Sequence, residues 1–264
     1  MVYDDQREYR KALEYHLKSL NIYKAVHGEI HSSVASCYGN IGSVFEEQGD
    51  YAKALEYYLK SLGISKSVYG ENHPALATSY ENLGKLYYLQ REDKQALECH
   101  LKCLEMKKLA HGENHPSLAT SYNYLALVYK YQGEYEQALE YHLQSLAIEK
   151  AVSGEKHPDV ATYYTNIGSV YKRLGDYDKA LEYHFKSLDI FKSVYEENHP
   201  AIATNYANLG SVYQCQGEYN QAVECYLKSF HIYKSVHGKD HPHTIAIYNL
   251  ICGIESMIGD TTDA

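Results

Sequence analysis

A 42-residue period constrains this sequence more than any other feature. Fourteen of the 17 glycines fall in three registers of that period. A proline follows five of the six periodic histidines, which are His31, His73, His115, His157, His199 and His241. Such a period is typical of a repeat protein, in which each repeat packs only on its neighbours. Because one register runs through the chain, the sequence leaves no room for an unrelated second domain.

The fourth repeat shows what each repeat should fold into. After His157, apolar residues recur at spacings of three and four, which predicts one face of a helix. Pro158 suits the first helical position, and Gly175 can adopt the left-handed conformation that ends a helix. A second periodic run begins at Tyr177. We therefore predict two helices of roughly 16 and 18 residues per repeat, which must stack because neither buries its apolar face alone.

Small and aromatic residues recur in the same registers. Gly168 in the first helix and Ala180 in the second predict a close crossing of the two backbones, because glycine in a helix costs roughly 1 kcal/mol against alanine. The other repeats carry Gly42 with Ala54, Gly84 with Ala96, Ala126 with Ala138, and Gly210 with Ala222. Tyrosines seven residues after the histidine are predicted core aromatics: Tyr38, Tyr80, Tyr122, Tyr164, Tyr206 and Tyr248.

The register also sets the predicted boundaries of a single array over residues 1–264. The full repeats are 31–72, 73–114, 115–156, 157–198 and 199–240; 9–27 is a lone second helix, 241–258 a lone first helix and 259–264 a tail. Tyr3 falls in the register of Tyr171, so the chain is expected to begin in the middle of a repeat.

The fourth repeat resembles the tetratricopeptide repeat. It carries Tyr164-x-x-Ile167-Gly168-x-x-Tyr171 and then Ala180, close to the aromatic-x-x-Leu-Gly-x-x-Tyr pattern with a later alanine. The 42-residue length and the Asn-Leu-Gly or Asn-Ile-Gly sequences are similar to the kinesin-light-chain type. The resemblance implies an all-α fold, an α-solenoid of stacked antiparallel helix pairs forming a right-handed superhelix whose concave side is lined by first helices.

Metal binding and catalysis are not expected. Thirteen of the 15 histidines fall in three periodic registers, and side chains a whole repeat apart lie roughly 10 Å from one another, too far to share an ion. Cys99 and Cys103 have no second pair at metal-ligand spacing. The chain carries no phosphate-binding loop, nucleophile elbow or His-Glu-x-x-His motif. We therefore expect no enzyme activity and no cofactor.

Charge and composition limit the classes of partner and the cellular locations that we expect. Lys plus Arg is 25 and Asp plus Glu is 34, a net charge of −9, which disfavours nucleic acid. The N-terminus is not a secretory signal, and no apolar stretch is long enough for a membrane helix. We expect a cytoplasmic protein with six reduced, mostly buried cysteines.

A polar stripe opposite the core face of the first helices is the candidate binding site. We define it by Asn40, Asn82, Asn166 and Asn208 with the threonines Thr78, Thr162 and Thr204. A primary amide both donates and accepts, so it can pair with the backbone of an extended peptide. The resemblance implies the same role. These asparagines could instead bond the backbone of the neighbouring repeat.

Basic residues accompany the polar stripe in the second to fourth repeats, while Glu46 and Glu47 lie in the first. They are Lys85, Lys130, Lys172 and Arg173. A basic region in an acidic protein would concentrate a carboxylate-bearing ligand. Scattered solvated charge is the alternative.

Three functions follow from these predictions. The first is a non-catalytic scaffold that binds an extended, acidic peptide in the concave groove; kinesin-light-chain-like cargo adaptation is one version. The second is the recognition arm of a larger signalling or enzymatic protein, truncated here. The third is a regulator that changes superhelical pitch when it binds a signalling peptide. We also expect weak self-association through the N-terminal helix, where Tyr9, Leu13 and Leu20 would be exposed.

Overall fold

The computed structural model describes residues 2–113 and 115–262, with side chains described over 8–113 and 115–256. Every regular element in those residues is helical, which confirms the all-α prediction. The α-helices are α1 (Val2–His27), α2 (Ser32–Glu47), α3 (Tyr51–Tyr69), α4 (Ala77–Leu89), α5 (Asp93–His111), α6 (Leu118–Gln132), α7 (Tyr135–Ser153), α8 (Pro158–Leu174), α9 (Tyr177–Val194), α10 (Pro200–Gln216), α11 (Tyr219–His237) and α12 (Pro242–Thr262). A 3-10 turn over Pro74–Leu76 precedes α4.

The chain divides into two compact units, residues 1–134 and 135–264. The first contains α1–α6 and the second α7–α12. The division falls in the turn between the two helices of the predicted third repeat. Within each unit, consecutive helices pack on each other.

Paired helices run antiparallel, as one repeated set of hydrogen bonds shows. In the first unit, Tyr58 of α3 bonds Glu46 near the end of α2. Three residues later, the Ser61 hydroxyl donates to the Ala35 carbonyl near the start of α2, at 2.8 Å. The second unit repeats that bond in α8 and α9, between Ser187 and the Ala161 carbonyl, at the same 2.8 Å.

The fourth repeat folds as the sequence predicts. Helix α8 begins at Pro158 and ends at Gly175, whose φ of 80° lies in the left-handed region. The carboxylate of Asp176 then accepts the backbone N–H of Lys179 and begins α9. Proline at the first helical position and glycine just past the end therefore act here as their backbone preferences dictate.

The periodic histidines begin the first helices. The Nδ1 atom of each accepts the backbone N–H two residues later, at 3.1–3.3 Å, for His31, His73, His115, His157, His199 and His241. Histidine is thus the N-cap residue of these helices, a position where Ser, Thr, Asp or Asn is usual. Where the residue four positions earlier is aromatic, its ring stacks on the histidine, as Tyr195 does on His199 at 3.7 Å.

The atoms nearest to Gly168 belong to a ring and not to the predicted partner Ala180. A Cβ at Gly168 would lie 2.9 Å from the imidazole of His184, and the backbone of Ala180 is not among its nearest atoms. Each first-helix glycine instead makes room for the ring sixteen residues later, at Gly42 with Tyr58, Gly84 with His100 and Gly210 with Tyr226. Only Gly210 also meets a backbone atom, the Ala222 carbonyl. The alanines are fully buried, which the sequence did predict.

Both terminal helices are longer than predicted. Helix α1 is continuous from Val2, so Tyr3 lies in the same helix as residues 9–27 and not in a preceding first helix. No glycine or proline interrupts residues 2–27 to make a turn there. Helix α12 runs through Gly259, which was assigned to the tail. The side chains of residues 257–262 lie outside the described set.

Three exposure predictions need correction. Tyr248 is 53% exposed, although its register is half-buried or buried in the earlier repeats. Leu20 is buried against α2 with Val34 and Ile41, so the lone helix does not leave it open. Of the six cysteines, all free, Cys215 and Cys252 are exposed. Burial raises the pKa of the Cys99 and Cys225 thiols to about 11.

Candidate functional site

In the first unit, the polar stripe lines a small polar cavity between α2 and α4. Asn40 lies on α2, and Thr78 and Asn82 lie on α4. The cavity has a volume of about 240 Å³. Asn40 and Thr78 are exposed and Asn82 is half-buried. Two amides and a threonine hydroxyl therefore share one cleft that solvent reaches.

The buried carboxylate of Glu46 links α2 to α3 and α4. Glu46 accepts the Tyr58 hydroxyl at 2.9 Å with one oxygen and pairs with the Lys85 ammonium at 2.6 Å with the other. Its side chain is 7% exposed, whereas that of Lys85 is 47% exposed. The hydrogen bond and ion pair with Glu46 raise the pKa of Lys85 against the opposing effect of burial. The positive charge predicted at Lys85 is thus largely balanced by Glu46.

In the second unit, the polar stripe runs along α8 and α10. Asn166 and Asn208 are half-buried, and Thr162 and Thr204 are exposed. Both threonine hydroxyls donate to the carbonyl four residues earlier in their own helix, at 3.2 and 3.1 Å. The Thr204 hydroxyl also lies 2.6 Å from that of Tyr233. The threonines are therefore already bonded within the fold.

The remaining predicted basic residues differ in their surroundings. Lys172 is half-buried, donates to the Ser211 hydroxyl at 2.8 Å and has a pKa lowered mainly by burial. Arg173 is exposed and Lys130 is half-buried. Of the four predicted cations, Lys85 and Arg173 are exposed, and Lys85 is paired with Glu46.

The third repeat departs from the polar stripe for a structural reason. It carries Tyr124 where the others carry asparagine, and the Tyr124 ring stacks on the buried His100 imidazole, with centroids 4.8 Å apart and planes 3° apart. Tyr88 packs edge-on against Tyr124. The tyrosine therefore adds a stacking contact, although the equivalent rings His142 and His184, each followed by a repeat that carries asparagine, are equally buried.

Sequence reasoning missed two polar groups beside the polar stripe. The ammonium of Lys107 is buried and meets Glu81 and the Ser121 hydroxyl, both at 3.1 Å. Asn205, only 1% exposed, donates to Thr165 at 3.5 Å, whereas its neighbour in the stripe, Asn208, stays half-buried. Neither Lys107 nor Asn205 lies in a register that holds one residue type, so the period carried no signal for them.

One group of metal-ligating residues occurs among the described residues. Oxygen and nitrogen atoms of Glu149, His157 and Asp159 lie within 4.8 Å of one another. The His157 Nδ1 atom already accepts the Asp159 N–H, and Glu149 accepts the Ser153 hydroxyl at 2.6 Å. Helix capping accounts for this proximity.

Among the described helices, none has the length and apolarity to cross a bilayer.

Comparisons with known proteins follow the same repeat. The tetratricopeptide repeat family matches at residues 1–67, 39–109, 90–151, 117–193, 159–235 and 201–264. A search of curated proteins gives no match.

Solved structures of similar fold include three described here. BtubC (BKLC) from P. vanneervenii is 24% identical over 89% of this chain and 94% of its own, with a TM-score of 0.73. The nearly identical TPR-like repeats of a P. anserina protein assigned as a kinesin light chain are 20% identical over 78% of this chain and 98% of their own, with a TM-score of 0.68. A signal transduction ATPase with numerous domains and a tetratricopeptide repeat sensor, from Pyrococcus horikoshii, is 21% identical over 95% of this chain and 37% of its own, with a TM-score of 0.74.

The family matches overlap along the whole length, and they coincide with the 42-residue period and the helix pairs. Tetratricopeptide repeats are protein-interaction scaffolds. The chain therefore belongs to the tetratricopeptide repeat family.

Proposed function

We propose that the first-helix face binds an extended peptide segment of a partner protein, without catalysis. The observation that carries this proposal is the cleft of the first unit, where Asn40 and Asn82 line one solvent-reached cavity. Two amides on neighbouring first helices can each donate to and accept from a peptide backbone without reading its sequence. Asn166 and Asn208 supply the same groups in the second unit.

An acidic segment is the proposed ligand. Arg173 is exposed beside Asn166, and Lys130 and Lys172 add cations to their first helices. Lys85 contributes less, because Glu46 already balances its charge at 2.6 Å. Carboxylates of the peptide would thus be attracted mainly by Arg173. Such attraction is salt-sensitive, since screening acts over about 8 Å at physiological ionic strength.

Replacing Asn82, Asn166 and Asn208 together by alanine should weaken binding at least about a hundredfold. Three lost hydrogen bonds at about 1 kcal/mol each are sufficient for that factor. The measurement is fluorescence anisotropy with a labelled library of extended ten-residue peptides rich in Asp and Glu. A matched control replaces three exposed asparagines outside the polar stripe, Asn21, Asn72 and Asn220.

The control should keep full affinity, and circular dichroism should show both variants folded. If the stripe variant also keeps full affinity, its amides serve the fold and the partner binds elsewhere. A second variant set tests the charge: Arg173→Ser should flatten the salt dependence of binding more than Lys85→Ser. Equal effects of the two would remove the role assigned to Glu46.

The adaptor version of this function, the recognition arm and the regulator would all use this face. A cargo adaptor and the recognition arm of a larger protein would both use the polar stripe, and the Pyrococcus neighbour carries its tetratricopeptide repeats as a sensor. The two differ in what is joined to the repeats. Sequencing the full-length transcript separates them, since only the recognition arm requires a further domain in the same chain.

We also propose weak self-association through α1. Its most exposed large apolar residues are Tyr15, Ile22 and Val26, which are 61–68% exposed and lie on one helical stripe. Light scattering at high concentration should show a growing average mass for the wild type and a constant mass for Ile22→Glu. Val236→Glu, at an exposed position of α11, is the matched control and should behave as the wild type. A wild type that stays monomeric would contradict the proposal.

A further inference from the structure

Four connectors between repeats close in the same way. Each carries a glycine with φ between 82° and 89°, followed by a glutamate that pairs with a lysine five residues before it. The pairs are Lys24–Glu29 at 2.8 Å, Lys66–Glu71 at 2.7 Å, Lys108–Glu113 at 2.6 Å and Lys150–Glu155 at 3.5 Å. The left-handed glycine turns the chain back, and this brings the carboxylate to the lysine.

The connector after α9 breaks this pattern. It has Glu196 in the glycine position, and a residue with a Cβ rarely adopts a positive φ. Helix α9 accordingly ends at Val194, and the extended Tyr195 donates its N–H to the Phe191 carbonyl. Within the part of the chain that the structure describes, Lys192 and Glu197 do not pair within 4.0 Å.

A cavity of the second unit lies beside this connector, among α9, α10 and α11. Its volume is about 550 Å³, within the usual range for small-ligand sites. Ile202, Ile232 and the Tyr206 ring supply apolar surface, and His231 lies at its edge. The ammonium groups of Lys192 and Lys228 lie 5.3 and 5.6 Å from the centroid of that same ring.

The charges of the cavity favour one carboxylate. Lys228 already pairs with Glu224 at 2.6 Å, so Lys192 is the ammonium left for a ligand. Glu197 also lines the cavity, and its carboxylate would repel a dianionic phosphate more than a single carboxylate. The apolar wall next to Lys192 suits a ring or short aliphatic chain attached to that carboxylate.

We propose that this cavity binds a carboxylate carried on an apolar body, with Lys192 as its ion partner. The site lies on the second-helix side of the second unit and uses none of the polar stripe. The ligand is either a free aromatic acid or an acidic residue next to an aromatic one in a peptide. Both present the same chemistry to Lys192, Tyr206 and Ile232.

The test is an NMR titration of the full chain with 3-phenylpropanoate and with its neutral counterpart 3-phenylpropan-1-ol. The acid should shift amide signals over residues 192–198 and 228–235 and bind up to about fivefold more tightly than the alcohol, the upper limit for one exposed ion pair. Lys192→Gln should remove that difference. Lys150→Gln is the matched control, because Lys150 holds the same register but is already paired with Glu155.

Glu196→Gly tests the cause of the open cavity. The glycine should allow the connector to close as the other four do, so that Glu197 pairs with Lys192 and the acid binds up to about fivefold more weakly. Equal binding of acid and alcohol by the wild type, or equal losses in the Lys192 and Lys150 variants, would overturn the proposal. So would unchanged binding in Glu196→Gly with a closed connector.

A third titration uses acetyl-Gly-Phe-Glu-Gly amide to identify the source of the carboxylate. Tighter binding of this peptide than of 3-phenylpropanoate supports a partner protein, and binding of the acid alone supports a free metabolite. If neither shifts the signals of residues 192–198 and 228–235, the cavity does not bind carboxylates. Repeating the titration with the variant in which Asn82, Asn166 and Asn208 are alanine separates these outcomes from peptide binding on the first-helix face.

Discussion

Replacing Gly168 with leucine should lower the free energy of unfolding by about 2 kcal/mol. The first added carbon would lie 2.9 Å from the His184 ring, which is buried at the centre of the helix pair. Overpacking of this kind costs up to about 3 kcal/mol. The better helix propensity of leucine offsets roughly 1 kcal/mol of that cost. The measurement is the midpoint and slope of urea unfolding.

Gly63→Leu is the matched control, since Gly63 lies inside α3 and its added Cβ would meet nothing within 4 Å. There the same substitution should raise stability by up to about 1 kcal/mol. Amide exchange should rise in α8 and α9 of the Gly168 variant and also in α7 and α10, which pack on them. Equal midpoints for the two variants would show that the His184 ring yields without cost.

Acid should destabilise the protein through His100. Burial and, to a smaller extent, the nearby Lys107 ammonium lower the pKa of His100 from 6.5 to about 4. Above pH 6.5 the imidazole is neutral in both folded and unfolded chains, so its contribution is fully present. As the pH falls from 6.5 to 4, His100 becomes protonated in the unfolded chain but stays neutral in the folded chain. The free energy of unfolding should therefore drop by up to about 3 kcal/mol over that range.

His100→Phe removes this titration while keeping a ring under Tyr124. Its free energy of unfolding should vary less between pH 6.5 and 4 than that of the wild type, whatever its absolute stability. The exposed His231 provides the control, because His231→Gln should leave the pH dependence of the wild type intact. A Phe variant with an undiminished acid slope would show that other groups govern acid unfolding.

The fold was predictable because the period repeats the same physical signals. His157, Pro158 and Gly175 mark helix ends through backbone chemistry that does not depend on distant contacts, and the structure places the ends there. The identity of what meets Gly168 was not predictable. A glycine signals close approach, but choosing between the Ala180 backbone and the His184 ring requires the rotation of α9 about its axis.

The candidate site was less predictable, for a related reason. A register shows which residues share a helix face, and it placed Asn40 and Asn82 together correctly in one cleft. It could not show that Lys85 would be held by Glu46, because that ion pair joins two repeats at a separation no motif fixes. Nor could it show the cavity beside the connector after α9, because residues from α9, α10 and α11 enclose it together.

The hydroxyls of two buried second-helix tyrosines have a consequence for how such a gene can change. Tyr58 bonds Glu46 and Tyr226 bonds Gln214, in each case twelve residues back within the same repeat. Unequal crossing-over that duplicates or deletes a whole repeat carries both members together and preserves the bond. A crossover in the turn between the two helices would separate ring from acceptor, and could join a Tyr58-type helix to one with Lys172 in the acceptor register. Recombinants should therefore survive preferentially when their breakpoints fall in the connectors, where Glu46 and Tyr58 travel as one inherited block.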